Sequence, residues 1–154
     1  MSGRCSTIWR FQKIAALQGF AFGSGLELAL FCDFRLAAEG TQLAFPEVKL
    51  GFIPAAGGTQ TSPRVIGQAG AVDMLLTGRR VTAAEALRLG LVTRILPSEQ
   101  ISQAAHELAV QLAGYEPRVV GAILSSVKGG ASLPLASALI WERQLAAALR
   151  QPTT

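Results

Sequence analysis

The chain has 154 residues, half of them hydrophobic and 16% charged, with a formal net charge of +4. That length supports one ordinary domain with a real core, and the composition excludes a disordered chain. The basic residues are scattered, with only Arg79 and Arg80 adjacent. A mildly basic, solvated surface is therefore the ordinary reading, and no DNA or RNA surface is marked. The two cysteines, Cys5 and Cys32, form no CxxC pair. Cys32 lies in an apolar helical pattern, which predicts a buried structural thiol in a reducing compartment, here the cytoplasm. Gly, Glu or Asp breaks every apolar run short of the roughly 18 residues that a membrane span needs. Residues 1–13 carry neither an apolar signal core nor an amphipathic targeting helix.

In chain order, residues 1–13 read as a leader without a clear period. Ile14 to Gln18 is a short apolar run ended by Gly19, which predicts a buried strand. Phe20-Ala21-Phe22 leads into Gly23-Ser24-Gly25. The pattern is then helical from Ser24 to about Cys32, with Leu28, Phe31 and Cys32 spaced for one face. Asp33 to Ala38 alternates as a strand does, with Arg35 and Ala37 opposite Phe34 and Leu36. Gln42 to Phe45 predicts another strand, stopped by Pro46. Glu47 to Ile53 reads as a turn or short extended piece. Pro54 and Gly57-Gly58 then force an irregular loop. Thr59 is an expected N-cap, Pro63 an expected break, and Ala69 to Leu76 a helix closed by Thr77-Gly78. Thr82 and Glu85 form a capping-box pattern for a helix that stops at Gly90. Leu91 to Leu96 predicts a strand ended by Pro97. From Ser98 onward the chain reads as helical. Ile101, Ala105, Leu108 and Leu112 form one apolar face, and Leu139, Ile140 and Leu145 a later one. The class is mixed α/β, with a core over residues 14–97 and a helical region over 98–154.

Between Gly19 and Gln60, two glycine-rich turns bracket two carboxylates set among apolar residues, Glu27 and Glu47. A carboxylate in such company must be solvated, paired or used, because burying an unpaired charge is expensive. Gly23, Ser24 and Gly25 open a helix whose first N–H groups lack intrahelical partners, so this turn can hold an anion or a developing oxyanion. A tight turn with glycines for packing is the plainer reading of that turn alone. Glu27 falls in the first helical turn, where it can lie near the same N–H groups. Its plainer role is a helix-dipole partner, and that of Glu47 is a solvated turn residue beside Lys49. If the strand between them doubles back, both carboxylates face one pocket suited to acid and base work.

These residues carry a resemblance. GFAFGSGLELA, the following Cys32-Asp33, and PEVKLGFIPAAGGTQ from Pro46 resemble the enoyl-CoA hydratase/isomerase (crotonase) family. The similarity runs on through Leu75 to Arg80, Ala83 to Ala86 and Gly90 to Val92, and covers about residues 13 to 128. It implies a partial crotonase-like spiral of ββα turns followed by a helical C-terminal part, assembled as trimers or dimers of trimers. It also implies acyl-CoA thioester substrates, in fatty acid or related acyl-CoA metabolism. Glu27 and Glu47 then match the two glutamates that activate the water added to an enoyl-CoA, and the Ser24 N–H, flanked by Gly23 and Gly25, serves the thioester oxygen. Ser24 stands where the family usually has glycine, which leaves the N–H in place. Phe20, Phe22 and Phe45 become candidates for an acyl pocket, although core packing is the more ordinary role for each. No cofactor is implied, since coenzyme A is part of the substrate.

The resemblance also implies that several N-terminal strands, a second oxyanion N–H and much of a CoA-binding loop lie outside this sequence. It implies the same of a closing C-terminal helix. Two alternatives to a hydratase stay open, an enoyl-CoA isomerase and a non-catalytic member that acts as an oligomer partner. RNA binding by a basic family member is a weaker third. Other chemistry finds no footing. Gly23-Ser24-Gly25 lacks the third glycine of a dinucleotide fingerprint, and Phe22 occupies a glycine position of a nucleophile elbow. His106 sits off the apolar face of its helix, and one histidine with two distant cysteines predicts no metal site.

Overall fold

The computed structural model describes residues 12–150. The first strands are β1 (Ile14–Leu17), β2 (Phe20–Phe22), β3 (Phe34–Ala38) and β4 (Gln42–Ala44). The last two are β5 (Val81–Thr82) and β6 (Arg94–Leu96). The helices are α1 (Ser24–Leu30), α2 (Gly58–Thr77), α3 (Ala83–Leu89), α4 (Ile101–Ala113), α5 (Pro117–Gly130) and α6 (Leu135–Leu149). A 3-10 turn spans Pro46–Leu50. The expectations for residues 1–11, including Cys5, fall outside the described residues. The chain divides into two compact units, one holding the described residues up to 109 and the other those from 110 onward.

In the first unit consecutive strands go to different sheets. One sheet has the order β1-β3-β6 and is parallel throughout, with Ile14 opposite Phe34 and Leu36 opposite Arg94. The other has the order β2-β4-β5, with Phe20 opposite Gln42 in parallel and Leu43 opposite Val81 antiparallel. So β1-β2-α1 and β3-β4-α2 are successive turns of one ββα spiral. Parallel neighbours need a long crossover, and each turn supplies one. Between the layers lies a core that includes Leu26, Leu30, Leu43, Phe45, Met74, Val81, Leu91 and Val92.

Several local expectations change in the structure, each for a physical reason. The buried face of α1 is Leu26, Glu27, Ala29 and Leu30, while Leu28 and Phe31 face out. Periodicity could not choose this face, because α1 is apolar nearly all round. Cys32 follows the helix and is half-buried, with its thiol near the Leu28 carbonyl, so it is not a core thiol. Arg35, placed by alternation on one strand face, is buried and straps β3 down. Its Nε donates to the Leu91 carbonyl at 2.7 Å and its Nη1 to that of Cys32 at 2.6 Å. Burial pushes its guanidinium below the usual range, and neighbouring Cys32 and Asp33 partly oppose this.

Leu91 and Val92 form no strand with 94–96 because their N–H groups return to the Ala86 carbonyl at the end of α3. β2 and β5 are too short to show alternation. The expected break at Pro63 comes instead at Gly67 (φ 76, ψ 161), a conformation that glycine adopts without penalty. Half the capping box forms. Thr82 Oγ1 accepts from the Glu85 N–H at 3.3 Å, but the Glu85 carboxylate turns to Arg79.

In the second unit α5 packs along α6, with Glu116 capping α5 through the N–H groups of Arg118 and Val119. Neither helix contains a fully buried residue, and Leu139 and Ile140, expected on an apolar face, are exposed. Among the described residues no helix is long and apolar enough to cross a membrane.

Candidate active site

The site forms where the two spiral turns meet. β2 delivers the chain into Gly23, whose N–H donates to the Ala44 carbonyl of neighbouring β4 at 3.0 Å. Gly23 has φ 53 and caps α1 without a side-chain bond. A left-handed residue here favours glycine. The Glu27 N–H is the one that reaches the Gly23 carbonyl, at 2.9 Å. The N–H groups of Ser24, Gly25 and Leu26 therefore have no partner within the helix. Seven residues make a marginal helix in isolation. Burial of Leu26 and Leu30 holds it, at about 1.5–3 kcal/mol for each leucine.

Glu27 is 1% exposed. It does not serve the N-terminus of its own helix. Its Oε1 accepts from the Ala56 N–H at 2.9 Å and the Gly58 N–H at 2.7 Å, in the second glycine turn. The cap of α2 is thus a carboxylate from another helix. Thr59, the expected cap, makes no capping bond, and the N-cap position falls at Gly57. The fit is close, because a Cβ on Gly58 would lie 3.0 Å from Glu27 Cγ and Oε1 and 2.9 Å from the Phe45 ring.

Glu47 sits in the first turn of the 3-10 segment that follows β4, and is 6% exposed. Its Oε1 lies against Gly23, where a Cβ would come within 2.6 Å. Its Oε2 is the one buried side-chain N or O atom among the described residues with no hydrogen-bond partner. Buried polar groups are almost always bonded, so such an atom marks a position that awaits a partner. The structure therefore brings Glu27 and Glu47 to the same short helix, one from within it and one against its N-cap. Ser24 and Gly25 are exposed at that helix start.

The three phenylalanines differ in their surroundings. Phe45 is fully buried in the core. Phe20 is 68% exposed on β2, with its ring centroid 5.3 Å from that of half-buried Phe22. Arg80 lies 5.4 Å over the Phe22 ring. None of the three lines the apolar cleft of about 230 Å³ between the Val48–Pro54 segment and the second half of α2. Val48, Phe52, Ile53 and Leu76 line that cleft, and no sequence signal singled it out. His106 is exposed, and among the described residues no group of three His, Cys, Asp or Glu side chains could hold a metal ion.

Comparison with known proteins points to one family. An enoyl-CoA isomerase/hydratase of Mycosarcoma maydis is 44% identical over 82% of this chain and 46% of its own length. A carnitinyl-CoA dehydratase of Salmonella typhi is 40% identical over 79% of this chain and 47% of its own. Among solved structures, an enoyl-CoA hydratase subunit of Geobacillus kaustophilus superposes with a TM-score of 0.89 at 38% identity. That match covers 92% of this chain and 55% of the other. An enoyl-CoA hydratase of Bacillus anthracis gives a TM-score of 0.84 at 40% identity, over 87% and 52%. The chain spans about half the length of the curated relatives it matches. The profile of the enoyl-CoA hydratase/isomerase family matches residues 9–153, and the chain belongs to that family.

Proposed function

We propose that these residues supply the carboxylate pair of an enoyl-CoA hydratase, which adds water across the α,β double bond of an acyl-CoA thioester. The observation that carries this reading is the unpartnered Oε2 of buried Glu47 beside the start of the helix that bears Glu27. Water held there would be deprotonated as its oxygen bonds to the β carbon, and a proton would pass to the α carbon. Both atoms of the former double bond are then satisfied, and the carboxylates end with as many protons as they began. The negative charge that builds on the thioester oxygen would meet the Ser24 N–H, with Gly25 next to it, at the positive end of α1. Coenzyme A enters with the substrate, so the chemistry asks for no separate cofactor. Further copies of the chain are the proposed protein partners.

Glu27→Gln and Glu47→Gln test the roles. Glutamine keeps the shape but removes the charge and the basicity. Each change is expected to lower hydration by about 10²–10⁴-fold, the usual worth of a positioned acid or base. Loss of the enoyl-thioester absorbance reports the rate. Full activity in both variants would sink the assignment. An isomerase reading has one observation in its favour, the double name of the Mycosarcoma relative. It predicts a product with no added mass.

A further inference from the structure

We infer that Gly58 is a positioning residue for Glu27, holding that carboxylate in place through its N–H and through the side chain it lacks. The inference rests on the hydratase reading for its catalytic consequence and on geometry for the placement. Glu27 Oε1 takes two backbone N–H groups that belong to one turn, from Ala56 and Gly58. Hydrogen bonds to a charged acceptor are short and directional, so two of them fix where the oxygen sits. The rest of the side chain is held from the other direction. A Cβ at position 58 would stand 3.0 Å from Glu27 Cγ, closer than ordinary contact.

Gly58 needs no left-handed backbone, unlike Gly57 (φ 113) before it. It is the first residue of α2, where alanine is at ease. Its glycine is therefore explained by what lies against it and not by its conformation. Phe45 closes the third side at 2.9 Å from the same Cβ position. An added methyl group can move neither the buried ring nor the helix start easily, so the Glu27 side chain yields. A shift of about 1 Å at a catalytic group can cost 10²-fold in rate.

The test compares Gly58→Ala with Gly70→Ala, the same change on the same helix, where the new Cβ meets only Ile66, at 3.5 Å. Two readouts are taken, the amide proton resonance of Ala56 and the hydration of a short enoyl-CoA. In Gly58→Ala the Ala56 amide is expected to move upfield and exchange faster, with kcat down about 100-fold and KM within about threefold. Gly70→Ala is expected to change neither. An unmoved Ala56 amide in Gly58→Ala overturns the placement, and an unchanged kcat beside a moved amide overturns the catalytic consequence. If Gly58→Ala does not fold, Glu27→Asp withdraws the carboxylate by one methylene. The same upfield movement is then expected, and its absence overturns the inference. A wild-type chain that hydrates nothing removes the hydratase reading separately, and the amide shifts still decide whether residue 58 places Glu27.

Discussion

Glu27 and Glu47 are both buried, yet their surroundings treat them oppositely. Glu27 repays its desolvation with two N–H groups, whereas Glu47 leaves Oε2 without a partner. Gly23 makes room for Glu47. Gly23→Ala would force a side chain into φ 53 and place it 2.6 Å from Glu47 Oε1. A loss of about 2 kcal/mol is expected from urea unfolding. Arg79 bonds both Asp73 and Glu85. The Arg79 hydrogen bond holds the Glu85 carboxyl below its ordinary range. A lowered folded value means stability that is present above the unfolded value, about 4.3, and is lost as pH falls through the folded one. Arg79→Ala is therefore expected to be about 0.5 kcal/mol less stable than wild type at pH 7, a small figure because the pair is partly exposed. The gap should narrow as the pH falls below about 4.3 in urea titrations, and a gap that stays constant would contradict the pairing. Both candidate carboxylates were legible in the sequence because Glu between apolar neighbours demands a reason. The donors of Glu27 were not. They lie some thirty residues on, and nothing local separates Thr59 as a cap from a glutamate arriving from another helix.

At the scale of elements, α2 carries two irregularities of different kinds. Pro63 lies inside it with helical backbone, and the kink falls at Gly67. Sequence named the proline because it removes a donor. Gly67 was silent, since a lone glycine in a helical pattern is usually tolerated. A Cβ at position 67 would meet nothing within 4 Å, so Gly67→Ala isolates the backbone cost. A loss of about 1–2 kcal/mol is expected by thermal or urea unfolding. A neutral or stabilising effect would mean that the kink is not held in solution. The face of α1 was misread for a related reason. When nearly every position is apolar, tertiary packing chooses the buried side, and here it chose the side bearing Glu27.

At the scale of the molecule, the spiral was legible through the family resemblance and not through periodicity. Strands of two to five residues carry too little pattern to announce themselves. Among the described residues β1 and β2 each stand at one edge of their sheet, and an edge strand offers backbone groups for pairing with another chain. Leu50, Phe52, Ile53 and Leu76 are exposed in the first unit, as are Ile123, Val127 and Leu135 in the second. Exposed apolar clusters of this kind mark interaction surfaces. The chain is therefore expected to sediment above its 16.2 kDa monomer mass, with a share of oligomer that grows with concentration. A monodisperse monomer at every concentration would contradict this.

Water addition by the Glu27–Glu47 pair is tested most directly by the mass of the product. The purified 154-residue chain meets a short trans-2-enoyl-CoA, with Glu47→Gln alongside, and the thioester is weighed afterward. A product heavier by one water is expected from wild type and is expected to be lost in the variant. A product of unchanged mass, no product from folded protein, or equal hydration by Glu47→Gln would contradict it.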